Sequence, residues 1–450
     1  MEFIPNDSIK NHMLKIIGKQ NMEELFSDIP QTVRRNDLNI PLGKTQLEVE
    51  QKLRRFADKN KSCNQQLNFL GGGIKPHYIP AVVKSIIQRS EFYTAYTPYQ
   101  SEASQGFLQA MFEFQSMIAE LTGMDIANCS LYDGATALAE AMLMCNRIKR
   151  KKNTFLIPQH ISWEKKSVLQ NYAKGTGIRI KQIPYQQKTG CLDTNALNQI
   201  LDETVCGVYI ENPNFFGIFE DNISKIQKLI HETESLFVVG VDPLSLGIIK
   251  KPGEYKADIV IGEGRALGNP MDYGGSGLGL FACRKQFLRQ IPGRLIGKTI
   301  DSKKHQAFCM TLQTREQHIR RGRATSNICT NEGLCALAAT VYLAWLGGNG
   351  LQSLSETNFK QGQLLANSIS SVDGFQKAFT GVHFNECVIH STLHPIKIHN
   401  ALLKKGIQGG LILDETFSSM KHNLLFGITE THTEEDVRTL VDALKEVNHV

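Results

Sequence analysis

Two tryptophans in 450 residues, and ten cysteines without a C-x-x-C pair, are the first things this sequence is short of. With no Cys/His run at ligand spacing, no metal site is expected. Cys63, Cys129, Cys145, Cys191, Cys206, Cys283, Cys309, Cys329, Cys335 and Cys387 read instead as reduced, mostly buried small hydrophobes in a reducing compartment. Glycine-rich nucleotide turns are missing as well. No GxGxxG follows a first strand, and Gly71-Gly72-Gly73 lacks the GKS/GKT ending of a phosphate loop. The opening MEFIPNDSIK has no apolar h-region, and the longest apolar run, 334–346, is too short to span a bilayer, so a cytoplasmic protein without a membrane segment is expected. Charge of one sign is not concentrated either. The net charge is +6 on dispersed basic residues, which does not point to nucleic acid. The densest run, 147–152, suits the C-terminus of a predicted helix.

What is there is the make-up of a soluble globular protein, 41% hydrophobic and 21% charged, with enough chain for two or three domains. Residues 1–65 read as a polar helical arm, with helices over 8–17, 22–26 and 45–59 punctuated by Pro30 and Pro41. An arm across a neighbouring subunit and a surface appendage both fit. A loop-rich segment, 69–106, carries Tyr78, Tyr93, Tyr96 and Tyr99, whose flat faces and hydroxyls suit a pocket or a core. A helix is predicted over 106–121, and another opens at Asp133 with Leu138, Ala141, Met142, Cys145 and Ile148 at helical spacing. Strands over 154–157, 178–183, 205–210, 237–241 and 258–261 then alternate with helical segments such as 222–232. That cadence predicts a mostly parallel sheet covered on both faces. After a long helix from about Asn331, the end reads as βαββα, with strands over 384–390, 410–413 and 424–428 and helices over 395–405 and 434–447. The expected division is an arm over 1–65, a large α/β domain over 66–330, and the long helix with a small α+β domain over 331–450.

The stretch 236–281 organises the rest. One strand ends on Asp242, the next ends in a Gly-rich turn, and a third, 277–281, follows Gly274-Gly275. Ligands of open α/β sheets sit beyond the carboxyl ends of the strands, which puts Asp242 and 262–275 at a site. Gly134, Ala135 and Thr136 open a helix whose free amides and dipole favour a phosphate, while Asp133 is equally suited to cap it. His160, just past the strand over 154–157, is either a ring-stacking partner or a hydrogen-bonded loop residue. The densest polar run, 311–332, sets Arg315, His318, Arg320, Arg321 and Arg323 ahead of Thr325, Ser326 and Asn327. Guanidinium forks beside neutral donors suit an intersubunit salt-bridge belt or a reach into a neighbouring active site.

An Asp closing one strand, with a loop after a strand about twenty residues on, resembles fold-type I pyridoxal-phosphate (PLP) enzymes, whose Asp pairs with the pyridine nitrogen and whose loop carries the Schiff-base lysine. Here that lysine is missing. Between Lys256 and Lys285 the only basic side chain is Arg265, and a guanidinium stays protonated and forms no imine. The segments YTAYTPYQSEASQG, YDGATALAE, IVIGEGRALGNP and TLQTREQHIRRGRATSNICTNE, with FIPNDSIKNHMLKIIG and ELFSDIPQTVR at the start, carry a more specific resemblance. Over essentially the whole chain they are similar to the first subunit of the split, two-subunit P-protein of the glycine cleavage system.

That resemblance implies an α/β fold of the PLP-transferase type I class, with a mostly parallel seven-stranded sheet and a small C-terminal α+β domain. It implies glycine as substrate, decarboxylated through PLP, with the aminomethyl group passed to the lipoyl arm of the H-protein. It also implies a homologous second subunit that bears the lysine and the PLP, the two assembling as a heterotetramer. This chain then has no catalytic residue and no covalent cofactor. Asp242, His160 and the trio Gly134, Ala135 and Thr136 hold pyridine-, ring- and phosphate-facing positions. Tyr93, Tyr96, Tyr99, Arg315, His318, Thr325, Ser326 and Asn327 fall to an interface or substrate pocket. Two other readings compete: a self-sufficient enzyme binding PLP non-covalently with a base such as His160, and a purely structural or regulatory partner. The chain departs from the family pattern at Ser101, Ser276-Gly277, Arg265 and Gly322-Arg323.

Overall fold

The computed structural model describes residues 7–35, 39–63 and 65–447. Seven strands form the central sheet: β1 (Ile126–Ala127), β2 (Thr154–Pro158), β3 (Arg179–Ile183), β4 (Val205–Glu211), β5 (Leu236–Val241), β6 (Ile259–Glu263) and β7 (Gly279–Cys283). Their order is β1-β7-β6-β5-β4-β2-β3. β7 is antiparallel to both of its neighbours, β1 and β6, and the other pairings are parallel. The inner strands are short, apolar and buried on both faces, as parallel strands under helices must be, while the edge strand β3 is polar and largely exposed. Because successive side chains point to opposite faces, one strand feeds two cores. Leu156, Val208, Val239, Val260 and Leu280 pack with Leu108, Met111 and Ile118 of helix α1 (Gln105–Thr122). Phe155, Ile157, Val238, Ile261 and Phe281 pack with Leu138 and Met142 of α2 (Gly134–Ile148) and Leu169 of α3 (Trp163–Ala173). Each such side chain contributes roughly 1.5–3 kcal/mol of burial. Helix α4 (Ile223–Glu232) links β4 to β5 and buries Ile226 and Ile230. The alternating strands and helices expected from the sequence are all present.

Helix α5 (Gly333–Ser370) is interrupted at Gly347, where φ is 61° and ψ is −179°. Ahead of the break Ala336, Ala339 and Tyr342 join the first core. Beyond it Leu365 and Ile369 join a third core. By length and apolar content α5 is the one described helix able to cross a membrane. The third core lies under an antiparallel sheet of β8 (Phe375–Lys377), β9 (Glu386–Ser391), β10 (Leu411–Ile412) and β11 (Asn423–Gly427), ordered β8-β9-β11-β10. Helices α6 (Pro395–Lys404) and α7 (Glu434–Val447) cover it with Ile398, Leu402, Leu440 and Leu444. Two pieces of this region had no sequence signal. Strand β8 is one. The other is the segment from Leu67 to Leu70, which pairs with Ile407-Gln408 and bridges to Phe426, burying Phe69 in the third core.

The chain divides into two compact units, Met1–Lys61 and Ser62–Val450. In the first, Lys10–Ile16 is helical and Met22–Phe26 is a 3-10 turn. The helix Gln46–Ala57 starts at a capping box between Thr45 and Glu48. Ile16, Val33, Ile40, Leu42, Leu47 and Phe56 are exposed.

Candidate functional site

The carboxyl ends of β4, β5 and β6 and the amino ends of α2 and α3 converge on a cavity of about 350 Å³. This is where an open α/β sheet gathers a ligand. Asp242 lines it directly after β5. Its Oδ1 accepts the Leu244 N–H at 2.9 Å, an Asx turn that fixes the carboxylate at the strand end. Gly134 and Ala135 line it from α2. Two of the first three amides of α2 are engaged by carboxylates of this chain. Asp133 Oδ1 accepts from Thr136 N at 2.6 Å, and Glu263 Oε2 accepts from Gly134 N at 3.0 Å. The other oxygen of Glu263 accepts from Arg265 N at 3.0 Å and Leu278 N at 2.9 Å.

Two lysines, Lys75 and Lys165, reach the same cavity from outside the stretch 236–281. Lys165, in the first turn of α3, donates to Glu211 at the end of β4, and Tyr209 Oη donates to the same Glu211 oxygen at 2.7 Å. Burial draws the Lys165 ammonium down, but the charge and hydrogen bond of Glu211 outweigh it and hold the group above the ordinary lysine range. Lys75, with its side chain almost fully buried, lies 3.3 Å from Glu386 Oε2. The Gly72 and Gly73 amides donate to Glu386 Oε1 at 2.6 and 3.1 Å. The triple glycine therefore does wrap an anion, and the anion is a side chain of β9. His77 pairs with Glu430 at 3.0 Å alongside. On the rim, partial desolvation raises Glu164, and the charges of Asp133 and Glu263 add to it. Arg265 also lines the cavity, with Nε and Nη1 buried and making no hydrogen bond.

A sequence profile described as the glycine cleavage system P-protein matches residues 1–444. The chain belongs to that family. Among P-protein relatives, a probable glycine dehydrogenase (decarboxylating) subunit 1 from Thermococcus kodakarensis is 47% identical over 447 residues, covering 99% of this chain and 98% of its own. A protein of the same description from Desulfitobacterium hafniense is 46% identical over 450 residues, covering 99% and 100%. The solved, inhibitor-bound glycine decarboxylase (P-protein) of the glycine cleavage system superposes with a TM-score of 0.91 at 39% identity, over 99% of this chain and 100% of that one. A sphingosine-1-phosphate lyase from Burkholderia pseudomallei, 12% identical with a TM-score of 0.68 over 93% of each chain, shares the fold. The P-protein chain thus has the α/β architecture of fold-type I PLP enzymes.

The structure brings Asp242, Gly134 and Ala135 together and leaves the other candidates elsewhere. Thr136 follows one residue inside α2, its amide taken by Asp133. His160 lies outside the cavity lining, fully buried and stacked on Phe216 at 5.3 Å with Tyr185 edge-on at 5.4 Å. Arg315 donates to the carbonyls of Leu312, Ile291 and Gly293. With Thr325, Ser326, Arg294 and Glu316 it lines a separate void of about 10 Å³, the size of one water. Asn327 is exposed and His318 lies 3.6 Å from Glu316. Tyr93 and Tyr96 are exposed, and Tyr99 stacks under Arg294 at 5.5 Å. Sequence reasoning missed Glu263, Glu211, Glu386, Lys75 and Lys165. Glu263 had a signal, an acid closing the strand that leads into the glycine-rich loop. The others are set by tertiary pairing alone.

Proposed function

We propose that this chain is the first subunit of a two-subunit glycine decarboxylase that acts with a homologous, lysine-bearing partner. Together they release carbon dioxide from glycine and pass the aminomethyl group to the lipoyl arm of the H-protein. PLP, held on the partner, supplies the electron sink that decarboxylation needs. The observation that carries this reading is the state of the amines around Asp242. The loop after β6 has no lysine, and the two lysines that reach the cavity are each paired with a glutamate, Lys165 with the buried Glu211 and Lys75 with the part-buried Glu386. An ammonium held that way is not the neutral amine an imine requires. The exposed apolar side chains of the first unit and the exposed Tyr93 and Tyr96 support a large interface with that partner. The ten free cysteines suit the reducing cytoplasm.

The reading is tested by glycine-dependent carbon dioxide exchange with this chain alone, with the lysine-bearing subunit, and with Tyr96→Ala in the pair. Activity is expected only in the pair and is weakened by the substitution. Borohydride reduction of the pair followed by peptide mapping is expected to place the cofactor adduct on the partner. An adduct on Lys75 or Lys165, or exchange by this chain alone, would overturn it.

A further inference from the structure

The start of α2 does not fit a PLP phosphate, because two of its first three amides, those of Gly134 and Thr136, are already taken by Glu263 and Asp133, which leaves the Arg265 guanidinium as the unpaired cation of the lining. A phosphate-binding helix start needs free amides and no competing negative charge. Here the carboxylate of Glu263 takes the Gly134 amide with one oxygen and the Arg265 and Leu278 amides with the other, at 2.9–3.0 Å. Three backbone donors from three separate segments on one carboxylate is the hydrogen-bonding pattern of a bound anion, made here by a side chain. The packing is equally close: a Cβ on Gly134 would stand 3.1 Å from the Cβ of Glu263. A phosphate carrying ~1.5–2 negative charges would have to expel Glu263 and then face Asp133 and Glu164. Glu164 is raised chiefly by burial, and the charges of Asp133 and Glu263 add to it. The same device recurs twice in the cavity. Glu386 fills the donors of Gly72, Gly73 and Lys75, and Glu211 fills Lys165.

From this geometry we infer that Glu263 is a built-in substitute for the cofactor phosphate. The cavity is a self-liganded relic that takes no PLP, covalent or free, and Glu263 ties α2 to the loops after β6 and before β7. The inference rests on the proposed pairing with a PLP-bearing subunit, and it is tested without using activity.

PLP released from the purified pair and quantified is expected at one per two subunits, and PLP titrated into this chain alone is expected to add only the spectrum of free PLP, with no saturable change. A second PLP per pair, or saturable binding to the isolated chain, overturns the inference. In a thermal-shift titration with inorganic phosphate, Glu263→Ala is expected to be stabilised, with phosphate bound about tenfold or more tighter than by wild type, since a like charge has left the donors. Should the alanine chain not fold, Glu263→Gln, which keeps the shape without the charge, makes the same comparison. Phosphate bound equally by both chains would assign the anion to Arg265 instead and overturn the role of Glu263, as would a variant that gains nothing. Failure of glycine exchange in the pair would strike the function while leaving the cofactor count and the phosphate titration standing.

Discussion

At the scale of single residues, the cavity is governed by pairing. Glu211 is 5% exposed and has Lys165 and Tyr209 as its partners. Lys165→Met leaves that carboxylate buried beside a phenol alone and is expected to cost ~3 kcal/mol in urea unfolding. The double variant Lys165→Met/Glu211→Met, which removes both charges, should recover most of the loss. Recovery separates a charge-pairing role from simple packing. Two other groups contribute to the acid limb of stability. Burial, with Lys377 adding to it, drives His383 down to about 4, so the folded chain keeps it neutral while the unfolded chain protonates near ~6.5. Stability from His383 is thus complete above that ordinary value and is lost as the pH falls toward 4. Burial pushes Glu430 up, but the hydrogen bond and charge of His77, with the Tyr78 amide and Asn358, outweigh it and hold the carboxyl at about 2. Its contribution is present above the ordinary carboxylate range and is lost as the pH falls toward 2. Unfolding midpoints measured against pH should therefore decline in two stages, with His383→Gln flattening the upper and Glu430→Gln the lower.

At the scale of elements, helix α5 connects two cores and approaches the chain ahead of β9 so closely that only glycine fits. A Cβ on Gly362 would lie 1.9 Å from the Phe384 carbonyl oxygen. Gly362→Ala is expected to lower stability by about 3 kcal/mol, although alanine has the better helix propensity, because backbone has to move. A melting temperature equal to wild type would show that α5 slides freely over that carbonyl. Elements are also where the sequence was most legible. α7 was read with both its ends correct, because it has a Thr433 start, an acidic first turn and a continuous apolar stripe. The strand over 277–281 begins at Gly279 instead. Its first residues belong to the turn, where Leu278 N is claimed by Glu263. Strand β8 and the pairing of Leu67 with Ile407 were missed because two or three residues carry no period, and such strands exist only by virtue of the partner they find.

For the whole molecule, Met1–Lys61 and Ser62–Val450 are separate compact units, and the first exposes Ile16, Val33, Ile40 and Leu42. A chain lacking residues 1–61 is expected to keep the melting behaviour of the larger unit and to lose co-purification with the lysine-bearing subunit. Undiminished co-purification would assign the interface elsewhere. The sequence by itself determined the α/β sheet, its parallel run, the C-terminal strands and helices and the absence of a lysine after β6, since period, turn chemistry and residue identity are local properties. It also pointed to Asp242, at a strand's carboxyl end, and to the start of α2, a free helix end, and both line the cavity. Which donors in that cavity are already taken was decided only by the tertiary structure. Glu263 lies 129 positions from Gly134, and Glu386 lies 314 from Gly72. A hydrogen bond between such residues depends on how distant segments dock, and no spacing along the chain records it.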